Sequence, residues 1–195
     1  MAPRDTVRTA SRRVDRRLLA AAGAWWLGLY ALLFVGQGRF SLHAVSVACG
    51  GPAPDTRFAP SPRHTELFLI GCGDQGLRAY RDLQIADLFY PVSTALLLVL
   101  TLTYLRSHVT PPAAWLTYLP VLAAVGDYLE NVCAWVLIAA ASPRPSWATY
   151  VLQIGSVVKF VASWLAWLTV IALLVLWVAR RLRPAASARP RPADS

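Results

Sequence analysis

The chain has 195 residues, 56% of them hydrophobic and only 15% charged, with a formal net charge of +9. That length makes one domain with tails, and that composition excludes an ordinary soluble surface. The positive charge gathers at the two ends beside apolar runs, with no nucleic-acid recognition motif, so nucleic acid is excluded as a partner and the arginines read as membrane-topology signals.

Residues 1–17 hold six arginines against two aspartates and no hydrophobic period, and read as a basic cytoplasmic tail. Residues 18–36 form the first apolar span, with Trp25, Trp26 and Tyr30 in it. A basic stretch before an apolar run resembles a signal peptide, but no A-x-A site follows closely and further apolar segments do, so the span is read as uncleaved.

Residues 37–86 are a long polar segment, expected outside. Pro52, Pro54, Pro60 and Pro62 break its first half. Ser61-Pro62 offers an N-cap and a first-turn proline for a short helix through Ile70, stopped by Gly71. From Leu77 a helical pattern resumes and is expected to run straight into the second span. Cys49 and Cys72 both lie in this segment and can pair if it faces an oxidising compartment, whereas Cys133 reads as a small packing residue.

The second span, residues 87–105, opens on Asp87, and Pro91 is placed to kink it. The third span covers residues 113–141 and the fourth 147–178. A Pro/Ala/Arg tail at 181–195 shows no packing pattern. Four spans put both termini on one side of the membrane. With the termini inside, twelve arginines are cytoplasmic and six (39, 57, 63, 78, 81, 144) exterior, which predicts a multi-pass cell-membrane protein with cytoplasmic termini. The expected fold is an all-α, four-helix transmembrane bundle with a long exterior loop.

The third span contains Gly126-Asp127-Tyr128-Leu129-Glu130-Asn131. Two carboxylates and an amide inside a membrane-length run are costly and need partners or a task. Spacings of three and four place Asp127, Glu130 and Asn131 on one face, near Ala123, Ala124 and Ala134, so this face is expected to look inward at other helices. Counted from Ala113, Asp127 lies roughly 21 Å and Glu130 roughly 26 Å into the bilayer. Lys159 counted from Val178 reaches roughly 28 Å, and Asp87 counted from Leu105 roughly 27 Å. Four ionisable side chains from three helices are thereby expected in the outer third of the membrane.

Such residues support acid chemistry. A carboxylic acid in low dielectric holds its proton and can act as a general acid. Beside aromatic faces, which attract developing cations, Asp127 or Glu130 would start the cyclisation or isomerisation of an isoprenoid. Asn131, Lys159, Asp87, Tyr128, Trp135, Trp164 and Trp167 are the candidate ligand-binding residues. The alternative is a non-catalytic membrane component or a proton or small-molecule carrier, whose acidic face fixes helix register or forms a relay. An enzyme should show a closed cavity beside Asp127 lined by tryptophan, a purely structural network should leave no void, and a relay should show a wet path from Asp87 inward. No metal-ligand spacing, haem motif or phosphate loop is present, so no cofactor or metal is expected. The expected partners are the lipid bilayer and a lipophilic small molecule.

A wider set of residues carries a resemblance: Asp55-Thr56-Arg57-Phe58, Ser61-Pro62, Gly73-x-x-Gly76, Tyr80, Asp87-Leu88-Phe89-Tyr90-Pro91, Asp127-x-x-Glu130-Asn131 and Lys159. Together they resemble a family of bacterial four-span integral membrane proteins of uncharacterised function with a D-x-x-E-N motif in the third span. The resemblance covers about residues 18–180 and implies a shared fold and exterior loop, but no activity. Where that family has an arginine directly after the second glycine, this chain has Leu77 and then Arg78. EXPERA-type sterol isomerases and small membrane terpene cyclases are similar only in general design.

Overall fold

The computed structural model describes residues 14–109, 114–140 and 146–182. The expected tails, apart from residues 14–17 and 181–182, and the connections at 110–113 and 141–145 lie outside the described residues. Among the described residues every regular element is helical. The first span is α1 (Arg16–Tyr30), prolonged by a π-helical turn over Ala31–Val35.

A helix that the sequence reading did not anticipate follows, α2 (Leu42–Cys49). Ser41 caps it, its hydroxyl accepting from the Ala44 amide at 3.2 Å, and Gly50 ends it in the left-handed region at φ 72°. Eight residues are too few to show a clear period, so only these flanking residues signalled it.

The next element, α3 (Pro62–Asp87), starts where its Ser-Pro pair predicts, with Ser61 Oγ accepting from the His64 amide at 3.2 Å. It passes through Gly71, the expected stop, and breaks instead at Gly73, whose φ of 57° and ψ of −173° are open to glycine at little cost. The second span is not continuous with it. A turn at Leu88–Phe89 separates α3 from α4 (Tyr90–Arg106), so Pro91 occupies a first turn, where its missing N–H costs nothing, rather than a kink. Likewise the third span opens with a 3-10 stretch, Ala114–Tyr118, and α5 (Leu119–Ala139) begins only where Pro120 can sit in its first turn.

The last element, α6 (Ser146–Leu182), has 37 residues. At about 1.5 Å per residue that is roughly 55 Å, well beyond a hydrocarbon core of about 30 Å. Its overshooting N-terminal part is covered: Ala148 and Leu152 pack with Val45 of α2 and Phe68, Leu69 and Tyr80 of α3.

Among the described residues four stretches are long and apolar enough to cross a membrane: α1 with its π turn, α3 together with α4, the 3-10 stretch with α5, and α6. Their apolar residues face outward. On α5, Val121, Val125, Leu129 and Val132 are exposed, while Ala123, Gly126, Asp127, Glu130 and Ala134 are buried. Small and polar residues inside, large apolar ones outside, is the arrangement that a lipid solvent selects. Trp25 and Trp26 donate their indole N–H groups to Ser93 Oγ at 2.9 Å and Thr94 Oγ1 at 3.0 Å, fastening α1 to α4.

The interior has three layers. One apolar cluster joins α2, α3 and the Leu137 and Leu152 ends of α5 and α6. A second joins Leu98, Leu102 and Leu105 of α4 with Leu119 and with Ala166, Val170 and Leu173 of α6. Along α5 and α6, residues 126–131 and 155–159 fall between these clusters, and there the buried polar groups collect.

Candidate functional site

The site is built on the contact between α5 and α6, the most extensive helix pairing in the molecule. Gly126 and Gly155 meet at the crossing: a Cβ on Gly126 would lie 2.8 Å from the Gly155 carbonyl oxygen and 2.7 Å from the Lys159 amide nitrogen. Only hydrogen fits there, and the resulting backbone approach sets Glu130 and Lys159 side by side.

Lys159 then organises three elements. Its Nζ lies 2.5 Å from Glu130 Oε2, donates to Asp127 Oδ1 at 3.0 Å, and donates to the backbone carbonyl of Asp55 at 3.0 Å. The contact to Glu130 is an ion pair, and those to Asp127 and to the Asp55 carbonyl are hydrogen bonds. The last reaches the exterior segment, where a 3-10 turn over Pro54–Thr56 lies against the helices. One turn along α6, Ser156 Oγ donates to the Arg57 carbonyl at 2.8 Å. Two side chains of α6 thus hold the Asp55-Thr56-Arg57 backbone over the bundle.

Asp55 is turned inward. Its Oδ2 accepts from Gln84 Nε2 of α3 at 2.8 Å, while Oδ1 is buried without a hydrogen-bond partner. Burial holds this carboxyl above the ordinary carboxylate range, against the pull of the Lys159 ammonium. Around it further buried atoms have no hydrogen-bond partner: Tyr80 OH, Gln84 Oε1, both Glu130 carboxyl oxygens and both ends of the Asn131 amide. Tyr80 lies within electrostatic reach of Asp55, Glu130 and Asp87. Asn131 is the amide neighbour of Asp87, short of an aligned hydrogen bond. Native interiors leave few polar groups orphaned, and of the residues with such atoms here Asp55 is the one that also borders a void.

A cavity of about 250 Å3 opens beside Asp127, bordered by Asp55, Asp87, Asp127 and Lys159. Its remaining walls are apolar and aromatic, with Leu33, Phe34, Leu83, Tyr90 and Phe160 the largest groups. Phe34 and Tyr90 touch each other, ring centroids 5.1 Å apart. A smaller void of about 150 Å3 between α4, α5 and α6 also borders Asp127 and Lys159. An open apolar groove of about 450 Å3 continues along α6 past Ser163, Trp164, Trp167 and Ile171. Lys159 borders all three.

Of the residues singled out from sequence, Asp127, Glu130 and Lys159 form one ion-paired group, with Asn131 and Asp87 adjoining. Tyr128 lies to the side, its hydroxyl donating to the Leu88 carbonyl at 2.8 Å across the α3–α4 turn. Trp167 borders the smaller void and touches Trp26 with centroids 6.0 Å apart. Trp164 is exposed on the groove, and Trp135 is half-buried on α5, outside the walls of the main cavity. The aromatic groups at the carboxylates are therefore Phe34, Tyr90 and Phe160. Cys49 and Cys72 are joined, their Cα atoms 4.0 Å apart. Among the described residues no cluster of histidine, cysteine and carboxylate fits a metal ion.

Sequence reasoning missed Asp55, Tyr80 and Gln84 as parts of this site. Asp55 and Tyr80 stand in the motif set that carries the family resemblance, which was the one signal pointing to them. Gln84 gave none. Comparison of the chain with protein-family models, with curated proteins and with solved structures finds no match.

Proposed function

We propose that this multi-pass membrane protein binds a lipophilic small molecule in the cavity between α1, α3, α5 and α6. The observation that carries this reading is the cavity itself: a void of about 250 Å3 bordered by three carboxyls and an ammonium together with aromatic and aliphatic side chains. An ion-paired network that served only to fix helix register would close on itself. Small-molecule sites have this composition, an apolar cleft with a few convergent polar groups. The arginine distribution supports cytoplasmic termini, an exterior segment over residues 37–86 and residence in the cell membrane. The bonded Cys49 and Cys72 then lie on the oxidising side. The motif set supports membership of the four-span family it resembles.

A second reading, acid-initiated isoprenoid cyclisation or isomerisation, draws on Asp87. This carboxyl borders the cavity with Phe34 and Tyr90 and has no ion pair among the described residues. Asp127 and Glu130 are committed to Lys159, so in this reading the proton donor is Asp87 and the aromatic faces steady the developing cation.

Mass spectrometry of organic extracts tests the binding reading, comparing wild type with a cavity-filling Leu42→Trp variant purified in native membrane discs. Leu42 lines the void and is partly exposed, so the larger ring can enter it. A lipophilic species enriched in wild type and depleted in the variant is the expected result. Extracts that both match bulk membrane lipid would overturn it.

A further inference from the structure

Two observations at the site point the same way. The first is charge. Lys159 is ion-paired to Asp127 and Glu130 and donates to the Asp55 backbone carbonyl, while the Asp55 and Asp87 carboxyls border the same cavity. Asp55 and Asp87 have no cation of their own among the described residues. The guanidinium nearest in sequence, Arg57, is engaged with His64 at the exposed surface, Nη1 to Nε2 2.9 Å.

The second is hydrogen bonding. Of the buried side-chain atoms without a hydrogen-bond partner around the site, Asp55 Oδ1 is the one whose residue borders the void; Tyr80, Gln84, Glu130 and Asn131 stand behind its wall. Asp55 is 8% exposed, and both it and Asp87 border the void. What is absent is a donor carrying positive charge. A phosphate or carboxylate head would add acceptors and negative charge beside three carboxyls that share one ammonium, whereas a cationic head favours the ionised form of Asp55 that burial opposes.

The walls fit the same occupant. Phe34, Tyr90 and Phe160 border the cavity that holds these carboxyls. Aromatic faces attract ammonium groups, and carboxylates with aromatic rings are a common way of holding a protonated amine. The void of about 250 Å3 accommodates an apolar body of about ten heavy atoms, and the groove at Trp164 and Trp167 offers room for a longer tail.

We infer that the cavity selects a lipophilic amine, its protonated head lying between Asp55 Oδ1 and Asp87 and its apolar body against Phe34, Leu83, Tyr90 and Phe160. The inference rests on the ligand-pocket reading above and adds the chemistry of the head group. Asp55 and Asp87 are the selectivity residues, and Lys159 is a positioning residue that holds Asp55 in place through its backbone.

Three probes with one apolar body separate the inference from its premise: 4-phenylbutylamine, 4-phenylbutanol and 4-phenylbutyrate. Each is titrated into the full chain in phosphatidylcholine nanodiscs, with empty discs subtracted for partition. The amine is expected to bind about tenfold or more tighter than the alcohol, the scale of one charge-assisted hydrogen bond, with the carboxylate weakest. Asp87→Asn and Asp55→Asn are each expected to lower the amine-to-alcohol affinity ratio toward one. Asp87 is half-buried, so its isosteric variant keeps the test available if Asp55→Asn does not fold. Equal affinities in wild type, a carboxylate that binds tightest, or a ratio unmoved in Asp87→Asn would overturn the head-group inference while leaving the pocket. No probe binding above empty discs would remove the pocket and the inference together.

Discussion

Gly126 and Gly155 face each other so closely that neither tolerates a side chain: a Cβ built on either one falls 2.8 Å from the carbonyl oxygen of the other. This contact, more than any charged pair, sets the geometry of the site, because Glu130 and Lys159 lie one turn beyond it on their respective helices. Gly155→Ala should therefore push α5 and α6 apart, costing about 1–3 kcal/mol of stability. Thermal unfolding of the purified variant measures it. The same variant should lose ligand retention, and an unchanged melting point would show that the helices close without the glycine contact.

Lys159 holds two buried carboxylates and one loop carbonyl. Lys159→Met keeps the length of the side chain and removes the charge, leaving Asp127 and Glu130 unpaired. Breaking a buried pair from one side costs about 3–5 kcal/mol. Adding Asp127→Asn and Glu130→Gln should recover part of that loss, since neutral amides no longer require a cation. Melting curves of the single and triple variants decide it, and no recovery in the triple variant would mean that the Asp55 carbonyl contact dominates.

The bridge between Cys49 and Cys72 closes a separation of 23 residues and ties α2 to α3. Cys49→Ser with Cys72→Ser should cost about 2–4 kcal/mol. Gly76 is part of the same contact, because a Cβ there would lie 2.8 Å from Cys49 Sγ and 2.9 Å from Cys72 Cβ. Gly76→Ala should accordingly lower the fraction of chains that form the bridge, read by thiol labelling under denaturing conditions. Full bridging in that variant would show that α2 can shift to make room.

Asp55 gives the protein a pH dependence of defined sign. Burial raises its carboxyl above the ordinary value of 3.8, so the folded protein keeps a proton that the unfolded chain has already lost. Its contribution to stability is complete below the ordinary value and is lost as pH rises through the raised one. Asp87, Asp127, Glu130, Lys159 and Tyr80 face the same centre, and the comparison must hold them constant. Asp55→Asn does so. As pH rises above the ordinary value of 3.8 the melting point of wild type should fall relative to that of Asp55→Asn, and parallel curves would mean that folding does not raise the Asp55 carboxyl.

Much of the architecture was legible in the chain because membrane helices are local. About 20 consecutive apolar residues declare a span without reference to the rest of the fold. Helix period alone puts Asp127, Glu130 and Asn131 on one face, and the cost of isolated charge in lipid foretells that this face turns inward. Lys159 was identifiable for the same reason, as a lone cation in a long apolar helix. The tertiary structure decided what those residues meet. The Pro54–Thr56 turn folds back over the bundle and delivers Asp55, from 72 residues away in sequence to Asp127, and no local rule fixes where a loop carbonyl or carboxyl comes to rest. It also decided which aromatic groups stand by the carboxyls. Tryptophans on α5 and α6 looked suited to that place, but the helix rotation imposed by the Gly126–Gly155 contact leaves Trp164 facing outward and Trp135 outside the cavity wall. Spacing along one helix is fixed by covalent geometry; the rotation of one helix against another is fixed by the atoms that both must accommodate.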